Sequence, residues 1–341
     1  MSELRHIAGR LVAEGKGILA ADESNGTMDK RLKAAGAQPG EEMRRALREL
    51  LFTTEGAAEH ISGVILYDET FRQSTADGVP FPRLLDEQGI IPGIKVDSGA
   101  KRLAGSEDET VTEGLDGLRE RLAEYYEGGA RFAKWRAVLA TDERRPSATC
   151  VHVNAHALAR YAALCQEARI VPIVEPEVLM DGEHTIDRSE EVTGDVLAAV
   201  FAELRAQRVM LEGMLLKPNM VLAGYECADQ PGDEEVAERT LRCLRRHVPA
   251  AVPGIVFLSG GQGDEDATNR LNVMNRMGAQ PWEISFSYGR GLQAAALTTW
   301  RGEQENVADA QRQYAHRARC TGAARRGEYS AEMERELAAA S

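Results

Sequence analysis

The stretch Leu215-Leu216-Lys217-Pro218-Asn219 places a lysine at the end of an apolar run that follows Gly213. Pro218 biases Lys217 towards extended backbone and cannot donate to a β-ladder, so the run reads as a strand ending at its charge. An amine in apolar surroundings loses solvation, which makes its neutral, nucleophilic form accessible. Alone, such a lysine would mark only the edge where a strand meets water. The pattern recurs along the chain, however. Runs of the same kind start at positions 18, 63, 93, 132, 170, 254 and 284, making eight with the run after Gly213. Several close on charge: Asp22, Asp68, Asp97, Arg136, Glu175 with Glu177, and Arg290.

Successive runs are separated by 30 to 45 residues, which suits a strand, a helix and two loops. Helical periodicity falls between them, at residues 1–14, 28–35, 41–54, 113–127, 148–167, 189–207, 234–247 and 267–277. Eight short strands alternating with helices predict an α/β fold, a (β/α)8 TIM barrel. An open doubly wound sheet is the alternative. It usually carries GxGxxG after its first strand, where this chain has Asp22-Glu-Ser-Asn-Gly26. No Pro-, Gly- or Ser-rich linker divides the chain, so residues 1–341 are read as one domain. Residues 301–341 are expected to begin as a helix and continue as a mobile tail.

Hydrophobic residues make up 43% of the chain and charged residues 28%, a balance that suits a soluble protein with a large core. No apolar run approaches the roughly 18 residues needed to span a membrane, and the charged N-terminus does not resemble a signal peptide. The net charge of −13 argues against nucleic acid as a partner. Five widely spaced cysteines without a CxxC pair point to reduced thiols and a cytoplasmic protein.

Barrel chemistry sits at the C-terminal strand ends, where residues two apart share a face. Lys134 therefore aligns with Arg136, Glu175 with Glu177, and Lys95 with Asp97. The cations Lys95, Lys134, Arg136, Lys217 and Arg290 outnumber the anions Asp22, Glu175 and Glu177 by two. A positive pocket in an acidic protein calls for an anionic substrate. The last two runs lead into Ser259-Gly260-Gly261-Gln-Gly263 and Tyr288-Gly289-Arg290, which offer backbone N–H groups, a hydroxyl and a guanidinium. Loops at these positions are the usual phosphate site of this fold.

The segments GILAADESNGTMDKRL (17–32), GIKVDSG (93–99), FAKWR (132–136), VPIVEPE (171–177), LLKPNM (215–220), FLSGGQ (257–262) and FSYGR (286–290) resemble class I fructose-bisphosphate aldolase. They span nearly the whole chain in the family's order. The resemblance implies reversible cleavage of D-fructose 1,6-bisphosphate, a step of glycolysis and gluconeogenesis, through a lysine Schiff base. It implies no cofactor, no metal and a homotetramer. Residue by residue, Lys217 corresponds to the Schiff-base lysine and Glu175 to the general acid/base. Glu177 is the second acid beside the lysine. Asp22, Lys134 and Arg136 correspond to the other catalytic-pocket charges. Ser259, Gly260, Gly289 and Arg290 correspond to the C1-phosphate site, and Ser24, Thr27, Arg31 and Lys95 to the region receiving the C6 phosphate. Many eukaryotic members end in a tyrosine that the tail brings over the active site. This chain ends in Ser341, and its last tyrosine is Tyr329.

Other readings fare worse. His152 and His156 share a helical spacing that can chelate zinc, but lack the glutamate of HExxH and a nearby third histidine. Gly15-Lys16-Gly17 lacks the Ser/Thr and upstream glycine of a phosphate loop. A transaldolase would share barrel and Schiff base yet need only one phosphate site. A non-catalytic scaffold would have no use for Asp22, Lys134, Glu175 and Lys217.

Overall fold

A strand covered on both faces must be apolar on both, which is why the barrel strands read as continuous runs rather than alternating ones. The computed structural model of the chain describes residues 2–339. Its centre is a closed parallel barrel of eight strands. These are β1 (Gly17–Ala21), β2 (Ile61–Leu66), β3 (Ile91–Lys95), β6 (Phe132–Leu139), β7 (Val171–Val178), β8 (Leu215–Leu216), β9 (Gly254–Phe257) and β10 (Glu283–Tyr288). Between β3 and β6 an antiparallel hairpin, β4 (Ala100–Arg102) and β5 (Thr110–Thr112), stands outside the barrel. The (β/α)8 barrel is therefore the fold, and the open doubly wound sheet is excluded by closure of β1 on β10.

The interior is layered along the barrel axis. Towards the N-terminal end the inward positions are apolar: Ile18, Ile65, Ile91, Phe132, Val171, Ile173, Leu215 and Val256 form one buried cluster. The first helix, α1 (Ser2–Leu11), closes that end with Leu4, Ile7, Ala8 and Leu11. Phe132 needs room that two neighbouring strands supply: a Cβ on Gly93 would lie 2.3 Å from its ring, and one on Gly63 3.0 Å. Two residues beyond Phe132, Ile173 and Leu215 the same face carries Lys134, Glu175 and Lys217, and this change of layer makes the site.

Around the barrel run α2 (Asn25–Ala34), α3 (Glu41–Phe52), α4 (Asp68–Phe71), α5 (Phe81–Glu87), α6 (Leu118–Glu127), α7 (Ala148–Glu167) and α8 (Ile186–Ala206). They are followed by α9 (Asp233–His247), α10 (Asp264–Arg276), α11 (Arg290–Trp300), α12 (Val307–Arg325) and α13 (Ala331–Ala339). Their buried faces and the outward strand residues, such as Trp135, Val174 and Phe257, form the larger core cluster. No helix is long and apolar enough to cross a membrane among the described residues. The five cysteines are free thiols.

Two expectations need correction. The helix read from residue 113 begins only at Leu118, because Gly114 and Gly117 adopt positive φ (126° and 64°) and interrupt helical backbone. The mobile tail read from residue 301 is instead packed structure through Tyr329. Helix α12 buries Tyr314, Ala318, Cys320 and Ala324 against the barrel helices. Its small and charged residues masked that face: Arg317 is buried because Glu334 neutralises it. Tyr329 is buried too, with backbone hydrogen bonds to Asn272 and its hydroxyl donating to Glu334 Oε1 at 2.8 Å. The chain end at Ser341 lies outside the described residues.

Candidate active site

A cavity of about 350 Å³ opens at the C-terminal ends of the barrel strands. It is lined by Lys217, Glu175, Asp22, Lys134, Glu177, Arg136, Ser24, Thr27, Arg31, Lys95, Ser259, Gly260, Gly289 and Arg290, so the structure brings together every residue singled out from the sequence. A larger cavity, about 900 Å³, lies beside it and shares Arg31 and Arg290, but holds none of the buried lysines or their carboxylates.

Strand register sets the central geometry. β6 pairs with β7 over their full length, so Arg136 lies opposite Glu175 and Lys134 opposite Ile173. β3 sets Lys95 opposite Lys134. Lys217 follows directly on β8, its backbone N–H donating to Val174 O at 2.8 Å; Pro218 then ends the ladder. Lys217 and Lys134 are each 4% exposed and Glu175 3%, so these charges must neutralise one another locally. Lys134 Nζ is 2.7 Å from Asp22 Oδ2 and 3.1 Å from Glu175 Oε2. Lys217 Nζ is 3.2 Å from Glu175 Oε1. Two lysines and two carboxylates thus alternate in one buried row. Arg136 pairs with Glu177 at the rim.

Burial opposes ionisation of Asp22, but Lys134 and Lys217 outweigh it and hold its carboxyl well below the usual range. The same contest, settled by Lys134, Lys217 and Arg136, lowers Glu175. Burial likewise opposes the charge on Lys134, yet Asp22 and Glu175 raise it well above an ordinary lysine. Asp22, Glu175 and Lys134 therefore favour their charged forms in the resting site. Apart from this ion pair with Lys134, Glu175 Oε2 makes no hydrogen bond.

Two corners that offer groups suited to an anion flank this row. One is built from the loops after β9 and β10: Ser259, Gly260 and Gly289, with Arg290 opening α11. Gly261 admits the guanidinium there, since a Cβ would lie 2.9 Å from Arg290 Nη2. The other is the start of α2, where Ser24 is the N-cap and its hydroxyl donates to Thr27 Oγ1 at 3.1 Å. Lys95 stands near it, 3.6 Å from Asp97 and 5.8 Å from the Tyr67 ring centroid. Exposed N–H groups at a helix start favour anions.

Sequence reasoning left out Glu23 and Asp97, both of which line the cavity. Glu23 stands beyond the end of β1, where strand alternation no longer predicts direction. Asp97 was placed on the face of Lys95 but given no role; its carboxylate accepts from the backbone N–H groups of Gly99 and Arg136. With Arg31 counted as well, six cations face five carboxylates, an excess of one rather than two. His152 and His156 sit on α7 against Glu203 of α8, remote from the cavity. Among the described residues, the group that meets a metal-ligand spacing is His316, Cys320 and Glu334, where Arg317 already pairs with the carboxylate.

A parallel (β/α)8 barrel with a buried, carboxylate-flanked lysine and two anion corners at its C-terminal mouth defines a lysine-dependent enzyme of phosphorylated carbonyl compounds. The fructose-bisphosphate aldolase class-I family model matches residues 3–341, and the chain belongs to that family. It is 55% identical over 330 residues to a probable fructose-bisphosphate aldolase class 1 of Xanthomonas campestris pv. campestris, covering 96% of this chain and 99% of the relative. Fructose-bisphosphate aldolase 6, cytosolic, of Arabidopsis thaliana is 54% identical over 321 residues, 94% of this chain and 89% of the relative. A co-crystal structure of the Plasmodium falciparum aldolase with TRAP and a small-molecule inhibitor matches with a TM-score of 0.95 at 50% identity. The match covers 96% of this chain and 95% of that one.

Proposed function

We propose that this enzyme, a lyase, performs the reversible aldol cleavage of D-fructose 1,6-bisphosphate with Lys217 as the Schiff-base amine. The products are dihydroxyacetone phosphate and D-glyceraldehyde 3-phosphate. The observation that carries the reading is the buried row Asp22–Lys134–Glu175–Lys217 between two anion corners.

Glu175 Oε1 takes the Lys217 proton, and the neutral amine adds to C2 of the open-chain sugar. The carboxyl returns that proton to the carbinolamine hydroxyl, which leaves as water. The resulting iminium is the electron sink. Glu175 Oε2, whose partner is Lys134 alone, then takes the C4 hydroxyl proton; the C3–C4 bond breaks and its electrons become an enamine. Glyceraldehyde 3-phosphate departs, the Glu175 carboxyl gives the proton it holds to C3, restoring the iminium, and hydrolysis releases dihydroxyacetone phosphate. Lys134, fixed by Asp22, stabilises the carboxylate whenever Glu175 is ionised. The C1 phosphate takes the Ser259, Gly260, Gly289 and Arg290 corner. The C6 phosphate takes Ser24, Thr27, Arg31 and Lys95. Arg136, neutralised by Glu177, lines the path between them.

Borohydride with dihydroxyacetone phosphate should inactivate the enzyme and add the reduced substrate's mass to the peptide holding Lys217. Chelators should leave turnover unchanged. Modification of another lysine, or activity lost to chelation and restored by zinc, would overturn the assignment. A cytoplasmic location and a homotetramer belong to the same reading. Free thiols, the charge of −13 and the cytosolic Arabidopsis relative support the first. Family membership supports the second, and sedimentation of the purified chain tests it.

A further inference from the structure

Arg48 is the most deeply buried guanidinium described, 2% exposed, and it does not line the active-site cavity. Its Nη2 donates to Glu23 Oε2 at 2.6 Å, and its Nη1 to Gln293 Oε1 at 2.9 Å. Gln293 is fixed in turn, its amide donating to Ala20 O at 2.8 Å and to Glu23 Oε1 at 3.1 Å. The Glu23 Oε1 atom also accepts Arg31, the guanidinium at the α2 corner. One buried carboxylate therefore holds two arginines, one inside the wall and one facing the cavity.

Arg31 could not serve a phosphate if it were the sole counter-ion of Glu23, because leaving would strand a buried carboxylate. With Arg48 locked on the other oxygen, Glu23 stays neutralised when Arg31 turns to substrate. The charge at this corner makes the same point. Glu23 cancels one of its two arginines and Asp97 offsets Lys95, so the net positive charge left at this corner equals that of the second arginine.

We propose that Arg48, seated by Gln293, is a positioning residue that frees Arg31 for the distal phosphate and so sets the preference for a bisphosphate over a monophosphate. The inference rests on the aldolase reading above. It concerns which substrates the site prefers, not the chemistry at Lys217.

The test compares fructose 1,6-bisphosphate with fructose 1-phosphate in Arg48→Met, Arg48→Lys and the Glu23→Gln/Arg48→Met pair. Arg48→Met should raise KM for the bisphosphate about tenfold or more, with kcat and the monophosphate KM within about threefold of wild type. Lysine keeps the charge without the two-pronged donor, so Arg48→Lys should lose less. Removing the carboxylate together with its partner should return the bisphosphate KM to within about threefold. Should Arg48→Met not fold, Arg48→Gln takes its place, with circular dichroism as the check. Equal losses on both substrates, an Arg48→Lys loss as large as that of methionine, or no recovery in the pair would overturn the role of Arg48. A wild-type enzyme that cleaved neither sugar would instead overturn the functional reading.

Discussion

Glu175 Oε1 lies 3.2 Å from Lys217 Nζ, inside a cavity wall where both side chains are almost wholly buried. At that separation the carboxylate and amine exchange a proton without an intervening molecule, so one residue can activate the nucleophile and later drive out water. Glu175→Gln keeps the shape and removes the proton carrier. We expect kcat to fall by about 10²–10⁴-fold, the usual contribution of a general acid–base group. The rate of borohydride trapping with dihydroxyacetone phosphate should fall as well. Trapping at the wild-type rate would place the proton transfer elsewhere.

Arg290→Ala should weaken recognition of the C1 phosphate. Charge-assisted hydrogen bonds contribute about 1.5–3 kcal/mol, which corresponds to a loss of roughly tenfold or more in kcat/KM. A substrate lacking that phosphate should lose much less. Equal loss on both substrates would mean that the guanidinium supports the Ser259–Gly261 loop rather than the ligand.

Helix α13 should be released in acid. Burial opposes ionisation of Glu334, but His316 and Arg317 more than offset it and bring its pKa to about 2, from an ordinary 4.5. A carboxyl lowered on folding stabilises fully above its unfolded pKa and loses that contribution as the pH falls through the folded value. The contact should therefore be complete above about pH 4.5 and fade towards pH 2. Hydrogen exchange over residues 331–336 at stepped pH measures this, with Glu334→Gln expected to raise exchange already at neutral pH. A helix equally protected at pH 3 and pH 7 would contradict it.

Gly93→Ala should destabilise the barrel by about 1–3 kcal/mol, the usual cost of overpacking. Its Cβ would enter the Phe132 ring, 2.3 Å away in the present packing. Phe132→Leu in the same chain should recover part of the loss in a thermal or urea melt. Two single losses that simply add would show that the ring and the new methyl do not meet.

Removing residues after Arg335 should leave fructose 1,6-bisphosphate cleavage within about threefold of wild type, under one kcal/mol in barrier. Tyr329, the last tyrosine, is held between Glu334 and Asn272 rather than near the cavity. Turnover and tritium exchange at C3 of dihydroxyacetone phosphate, on both lengths of chain, check this. A hundredfold fall in exchange would show that the end of the chain reaches the site.

The sequence alone determined the barrel and named the charges of the buried row, because both follow from local rules. An apolar run buried on both faces is a parallel strand, and residues two apart on a strand share a face. Lys134 with Arg136 and Glu175 with Glu177 were therefore legible as pairs before any fold was known. Tertiary structure alone decided what depends on contacts between distant segments. Glu23 lies past the last residue of β1, so no periodicity could aim it, and its partners Arg48 and Gln293 are separated from it by 25 and 270 residues. The helix α12 reads as polar because, besides Tyr314 and Cys320, its buried face is built mostly from alanine, glycine, polar residues and two arginines. Only docking against Glu334 and the neighbouring helices makes that face a core. Strand register is likewise long-range, and it sets Lys217 one residue beyond β8, within reach of Glu175. Local spacing names the charges, whereas the closure of the barrel fixes which of them neutralise one another.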